Sequence, residues 1–297
     1  MEKKVVYLDY AASAPPEESV AAAMMECMRR TPYNASAAYS AAGEARRVHR
    51  LCREQLGEML GCTPDSLYFT SGGTEANNWA IHAFAGGHAV ISALEHASVL
   101  RPAQAYCRVT LVSPDAAGMI EPEKIAAALR PDTRLICLQA ANNETGVIQP
   151  VKEVYALARA RGVHLHVDAV QAFGHIPLGA DCCDSMSLSA HKLGGPRGIG
   201  ALYARKPLPP LLLGGSQESG LRAGTENTPA IAGFHQAALL AAGDQAERAA
   251  REEALMRGFI GRLRAALPGL RVLGEERARL PGIAALALPG GTAAEAV

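Results

Sequence analysis

From Asp184 the chain reads Asp-Ser-Met-Ser-Leu-Ser-Ala, polar and apolar in alternation, which is the two-residue period of a strand. A glycine-rich turn carrying Lys192 follows, and then Ile-Gly-Ala-Leu-Tyr reads as a second, buried strand. Short β-rich runs of this kind are predicted at Ser66–Thr70, His88–Ser92, Arg108–Val112, Arg134–Leu138, Val163–Val167, Ser185–Ser189 and Ile199–Ala204. Helical patterns lie between several of them, at Thr74–Phe84, Ser98–Cys107, Glu121–Leu129 and Val151–Arg161. This rhythm predicts an α/β fold with a mostly parallel central sheet and flanking helices. Its functional loops belong at the carboxyl ends of the strands.

A long helical region, Thr228 to Leu267, fits one or two surface-packed helices, with Pro229 at the first helical position. Strand-like runs at Leu270–Leu273 and Ile283–Leu288 then open a small α+β domain. The expected division is a large domain over 15–243 and a small one from 1–14 and 244–297. The first residues, MEKKVVYLDY, enter a strand at once. At the other end Thr292 reads as an N-cap and Ala-Ala-Glu-Ala-Val as one helical turn, so a truncated chain with an incomplete small domain is expected.

Composition narrows the class. Of 297 residues 49% are hydrophobic and 20% charged, which suits a substantial packed core rather than disorder. Lys+Arg and Asp+Glu are equal at 29 each, so no basic excess points to nucleic acid or an anionic membrane. No apolar run is long enough for a membrane helix, and the N-terminus does not resemble a signal peptide. A cytoplasmic protein is expected. Seven scattered cysteines without a CxxC pair suit a reducing compartment, and Cys182 and Cys183 read as packing residues.

Several stretches carry candidate chemistry. In YFTSGGTEANN a strand ends, glycines turn the chain and a helix begins around Thr74 and Glu75; exposed N–H groups there favour phosphate, although a plain capped turn has the same look. No dinucleotide fingerprint or P-loop is present. His96, in EHASVL, follows a strand end and is either structural or placed to stack on a flat group and move protons. The Asn and Glu residues of ANNETG either orient a ligand oxygen or make a turn. His164, His166 and Asp168 alternate along one strand face. They read as two structural histidines, as a metal site, or with Asp168 as a carboxylate for a cationic ring nitrogen. Arg222 and Thr225, in a glycine-rich loop, are surface residues or reach a phosphate across a subunit interface. Pyridoxal phosphate needs a lysine, an acid partner, a phosphate cradle and something flat against its ring. Lys192, Asp168, Gly73 and Thr74 with Ser189, and His96 would supply these in order.

The chain resembles the cysteine desulfurases, within the class V aminotransferase-like, fold-type-I pyridoxal phosphate enzymes. The likeness runs through NAS at Asn34–Ser36, FTSGGTEANN, EHASVL, NNETGVIQPV, HVDAVQAFG, SLSAHKLGGPRGIGALY and GGSQESGLRAGTEN. The last of these favours the housekeeping and nitrogen-fixation branch. The resemblance implies that Lys192 holds the cofactor as a Schiff base and that Asp168 pairs with the ring nitrogen. It implies that Gln171 and Asn143 bond the phenolic oxygen, and that His96 stacks on the ring and assists proton transfer. Gly73, Thr74, Ser189 and His191 would hold the phosphate. Thr225 would reach the phosphate of a partner in a homodimer, and Asn34 would help seat the substrate carboxylate. The implied substrate is L-cysteine, with sulfur passed through an enzyme persulfide to an acceptor or scaffold protein. The family's nucleophilic cysteine and carboxylate-binding arginine are expected beyond Val297, and none of the seven cysteines stands for the former. Selenocysteine lyase or transaminase chemistry on the same scaffold is the rival within enzymes. A non-catalytic cofactor-binding or scaffold partner of sulfur-transfer machinery is the rival of a different class, and a metal-dependent hydrolase built on His164, His166 and Asp168 is a further alternative.

Overall fold

A computed structural model of the chain describes residues 6–290. Two helices come first, α1 (Glu18–Arg30) and α2 (Ala42–Leu60). Then β1 (Leu67–Thr70), α3 (Gly73–His82), β2 (His88–Ser92), α4 (Ala97–Tyr106), β3 (Arg108–Val112), α5 (Pro122–Ala128), β4 (Thr133–Gln139), α6 (Val151–Ala160), β5 (His164–Asp168), β6 (Ser185–Ser189) and β7 (Gly200–Ala204) build the sheet region. Helices α7 (Thr228–Gly243) and α8 (Gln245–Ala266) follow, with a small pair, β8 (Arg271–Val272) and β9 (Leu286–Ala287).

The seven-stranded sheet has the order β1-β7-β6-β5-β4-β2-β3. Only β7 runs against its neighbours, so the carboxyl ends of the other six strands lie along one edge. The mostly parallel α/β fold is as the periodicity predicts. Both faces of the sheet are covered. Leu138, Leu165, Val167, Met186 and Leu188 share a core with Leu56 and Leu60 of α2, Val154 and Ala158 of α6, and Ile231 and Phe234 of α7. On the other face Trp79 and Ala80 of α3 meet Tyr68 and Leu202, while Ile81, Val99 and Ala103 meet Ile91, Leu135 and Cys137.

The sequence-predicted helical region 228–267 is two helices. Asn227 caps α7 by accepting from the Ala230 N–H at 3.1 Å, and Asp244, outside helical geometry, divides α7 from α8. One expectation is corrected, and two helices go beyond the prediction. Residues 6–9 form no strand; instead the Tyr7 hydroxyl donates to the carbonyls of Asp9 and Ser13, curling the segment into turns. Helices α1 and α2 were not predicted, and both pack on α7. The N-cap expected at Thr292 lies outside the described residues.

Candidate active site

Strand β5 ends at Asp168 and β6 at Ser189, and the turn after Ser189 delivers Ala190, His191 and Lys192 as one short helical turn. Strand β1 ends at Thr70, and three residues later α3 begins at Gly73 and Thr74. His96 is the N-cap of α4, its Nδ1 accepting from the Ser98 N–H at 3.1 Å. These ends open on one cavity of about 1430 Å³. Gly73, Thr74, His96, Asn143, Asp168, Gln171, Ser189, His191 and Lys192 all line it. Nine of the eleven sequence-predicted site residues are thus brought together. Asn34 and Thr225 are not among the lining residues; both are exposed, and Asn34 turns its side-chain oxygen back onto the Ser36 N–H at 2.9 Å.

Each residue's surroundings fix what it can do. Asp168 is buried; its Oδ1 accepts from the Val170 N–H at 2.9 Å and its Oδ2 from Asn77 Nδ2 at 2.7 Å. Burial raises its pKa, opposed by those two bonds and by the charges of His96 and Lys192. Lys192 Nζ donates to the carbonyls of Ala11 and Ala12, the latter at 3.1 Å. Burial lowers the Lys192 pKa, against the pull of Asp168 and Asp9, which favours the neutral, nucleophilic amine. Burial likewise lowers the His191 pKa, helped by the positive Lys192 and Arg197.

Gly73 marks a close approach. A Cβ there would overlap a methyl of Val170 and lie 3.7 Å from Ser189 Cβ. The first N–H groups of α3 therefore face the cavity beside the Ser189 hydroxyl, with no intrahelical partners of their own. One acid sits in this first turn: Glu75, whose Oε2 accepts from the Ser71 N–H at 2.7 Å. Arg222 grips the same carboxylate twice, at 2.8 and 3.0 Å, and cancels its charge. Arg222 thus serves the cradle from behind rather than as a free cation for a phosphate.

The metal reading fails on geometry. His164 Nε2 and His166 Nδ1 both bond Ser185 Oγ, at 2.8 and 2.9 Å, and His166 Nε2 lies 2.9 Å from Asn77 Oδ1. Three of their four ring nitrogens are thus bonded within the fold, and no cluster of three metal-binding side chains occurs among the described residues. None of the seven cysteines lines the cavity.

Sequence reasoning missed Asn77, Ser98 and Glu95. Asn77 is wholly buried in mid-helix, where an asparagine is a poor helix former. Its neighbours Ala76 and Ala80 are buried too, so it lies on the covered stripe of α3, and that stripe is the signal. Glu95 is buried; its Oε1 accepts from the Gln139 N–H at 2.6 Å and its Oε2 has no partner. Burial, with the negative Asp168 nearby, raises the Glu95 pKa strongly, which favours the protonated acid.

The fold and the cavity define a doubly covered α/β enzyme scaffold with a lysine, a buried acid and an anion cradle at one strand edge. The chain belongs to the aminotransferase class-V family, which it matches over residues 6–297. It is 41% identical over 255 residues to a cysteine desulfurase IscS of Methanosarcina thermophila, covering 81% of this chain and 63% of that protein's length. A solved NifS-like protein superposes with a TM-score of 0.93 at 31% identity, covering 98% of this chain and 83% of that one. SspA in complex with cysteine superposes with a TM-score of 0.82 at 33% identity, covering 92% and 81%. The family's cofactor is pyridoxal 5'-phosphate. Its requirements suit the cavity: a glycine cradle at a helix start, a buried carboxylate, a lysine amine, and Gln171, whose buried amide oxygen has no partner in the protein.

Proposed function

We propose that the chain acts as a cysteine desulfurase, converting L-cysteine to L-alanine and passing the sulfur to a thiol for iron–sulfur cluster assembly or another sulfur-transfer pathway. The observation that carries this is the convergence of Lys192, Asp168, His96 and the Gly73–Thr74 cradle on one cavity, in a chain 41% identical to a cysteine desulfurase. The structure of SspA with cysteine supports the choice of substrate.

Bound pyridoxal phosphate would supply an electron-withdrawing cationic ring next to the substrate's Cα. Asp168 would hold the ring nitrogen's proton, a role that also relieves its own burial as an anion. Lys192 would anchor the cofactor and move the proton at Cα, its lowered pKa keeping the amine available. Gly73, Thr74, Ser189 and His191 would bind the phosphate, and Gln171 and Asn143 would bond the phenolic oxygen. His96 would cover the ring. Sulfur leaves when a thiolate attacks the substrate sulfur: the new S–S bond is a persulfide, the C–S electron pair stays on carbon, and protonation there gives alanine. Because no cysteine lines the cavity, that thiolate comes from outside the described site. Thr225, exposed and away from its own cavity, would complete the phosphate site of a second copy in a homodimer, and Asn34 would contact the substrate carboxylate.

The test loads the chain with pyridoxal phosphate. A visible band should form, vanish in Lys192→Ala and change on adding L-cysteine; the rate of alanine formation should then rise with a small thiol added in excess over L-cysteine. A band that persists in Lys192→Ala, or an unaltered band with L-cysteine, would overturn the reading. An alanine rate indifferent to the concentration of thiol would refute the external thiolate.

A further inference from the structure

Behind Asp168 a line of polar side chains runs through the interior of the α3 face of the sheet. Ser185 and Ser187 on β6 and His166 on β5 are completely buried, as is Asn77 on α3. Parallel pairing sets His166 beside Ser185 and Asp168 beside Ser187, so the side chains form adjacent rungs on one face.

The direction of every proton in this line can be deduced. An ionised carboxylate only accepts, so the Asn77 atom 2.7 Å from Asp168 Oδ2 is its amide nitrogen. The Asn77 oxygen then needs a donor, and His166 Nε2, 2.9 Å away, must carry the ring proton; Ser187 Oγ lies 3.3 Å from the same nitrogen. His166 Nδ1 is therefore bare and accepts from the Ser185 hydroxyl at 2.9 Å. Ser185 Oγ, having donated, accepts from His164 Nε2–H at 2.8 Å. Burial pushes His164 down to about 4 and His166 to about 3, so both rings stay neutral through the physiological range and the order is kept. All donors point toward Asp168, and hydrogen bonds aligned this way polarise one another.

Asn77 also branches the line. Its second amide proton goes to Ser98 Oγ at 2.9 Å, which leaves the Ser98 hydroxyl proton for His96 Nδ1 at 2.8 Å. The Ser98 backbone N–H, which can only donate, points at that same nitrogen. In the neutral ring the His96 proton is thereby placed on Nε2.

We propose that Asn77 is the hub of a one-way hydrogen-bond relay, His164–Ser185–His166–Asn77, that fixes the orientation and negative charge of Asp168, while the Ser98 backbone N–H and hydroxyl set the tautomer of His96. Asn77 and His166 are positioning residues. The inference rests on the assignment of Asp168 to the cofactor's ring nitrogen. The other titratable groups set around Asp168 are His96, Lys192, Glu95 and the buried Cys137.

The test has an arm without cofactor and an arm with it. In the unloaded chain, nitrogen NMR of the imidazoles should show His166 and His96 both as Nε2–H tautomers, and Asn77→Leu, which removes the acceptor of the His166 proton, should release the His166 preference. An Nδ1–H form at His166, or a His166 tautomer unchanged in Asn77→Leu, overturns the relay whatever the cofactor does. In the loaded chain, His166→Phe should weaken cofactor binding roughly tenfold, the scale of one hydrogen bond to a charged group, and move the pH at which the visible band titrates. His166→Gln, whose amide can still donate to Asn77, should restore both. A merely structural role predicts equal melting losses in the two variants with no change in the band's titration. Failure of the wild-type chain to take up cofactor would instead refute the functional assignment, leaving the tautomer result standing.

Discussion

At Gly73 the side chain is missing for a physical reason. A single methyl there collides with Val170, and forcing extra carbon into a packed site costs about 1–3 kcal/mol. Gly73→Ala should therefore lower the melting temperature and weaken pyridoxal phosphate binding, because the displaced helix start carries the phosphate donors. Val170→Ala, combined with it, should recover most of both losses; a double variant no better than the single one would show that the strain lies elsewhere. Site residues of this kind were legible in the sequence because each stood at a strand end, Gly73 and Lys192 in glycine-rich turns as well. Lys192, Asp168, His96 and Gly73 were found this way. Asn77 and Glu95 were not, because a buried polar residue in mid-helix or mid-loop gives no local sign of the partner it meets.

At the scale of elements, the Arg222–Glu75 pair ties the 214–227 loop to the first turn of α3. Breaking a half-buried pair leaves an unpaired carboxylate beside the anion cradle. Arg222→Ala should weaken cofactor binding about tenfold or more, most at low salt, where repulsion is least screened. Glu75→Gln should relieve the defect in the double variant. Equal affinities for Arg222→Ala and wild type would mean that loop and cradle act independently. The strands were readable from periodicity alone: β2, β3 and β6 have the predicted bounds. Helix α2 was not. Its covered stripe, Ala45, His49, Cys52, Leu56 and Leu60, has helical spacing, but a histidine and a cysteine break its apolar signature. In α1 only Val20 and Cys27 are buried, while Met25 and Met28 face outward, so the pattern has no clear inside. The serines of β6 alternated as though one face met solvent. Both faces are covered: Ser185 and Ser187 meet histidines instead of water, and Ser189 opens on the cavity.

Across the whole molecule, among the histidines whose pKa burial lowers, three are pushed far down: His49 and His164 to about 4, and His166 to about 3. A ring whose folded pKa lies below its unfolded value of about 6.5 stabilises the fold fully above that value and less as pH falls through the folded one. For His49, which bonds Thr228 Oγ1 at 3.0 Å and so joins α2 to α7, the contribution is roughly 3 kcal/mol. Urea midpoints should hold steady from pH 8 to 7 and then fall steadily toward pH 4.5. His49→Gln should flatten part of that slope; an unchanged slope would assign the acid sensitivity to other groups.

Helix α3 starts at the phosphate cradle and carries Asn77 in its middle. Two residues on, it holds Trp79, the chain's single tryptophan, pinned by its Nε1–H to the Pro209 carbonyl at 2.8 Å. The molecule thus contains one indole fluorophore, rigidly mounted on the element that grips the cofactor. Its emission overlaps the absorption of a bound pyridoxal group, so quenching of that one signal would report loading, unloading and their rates without any added label.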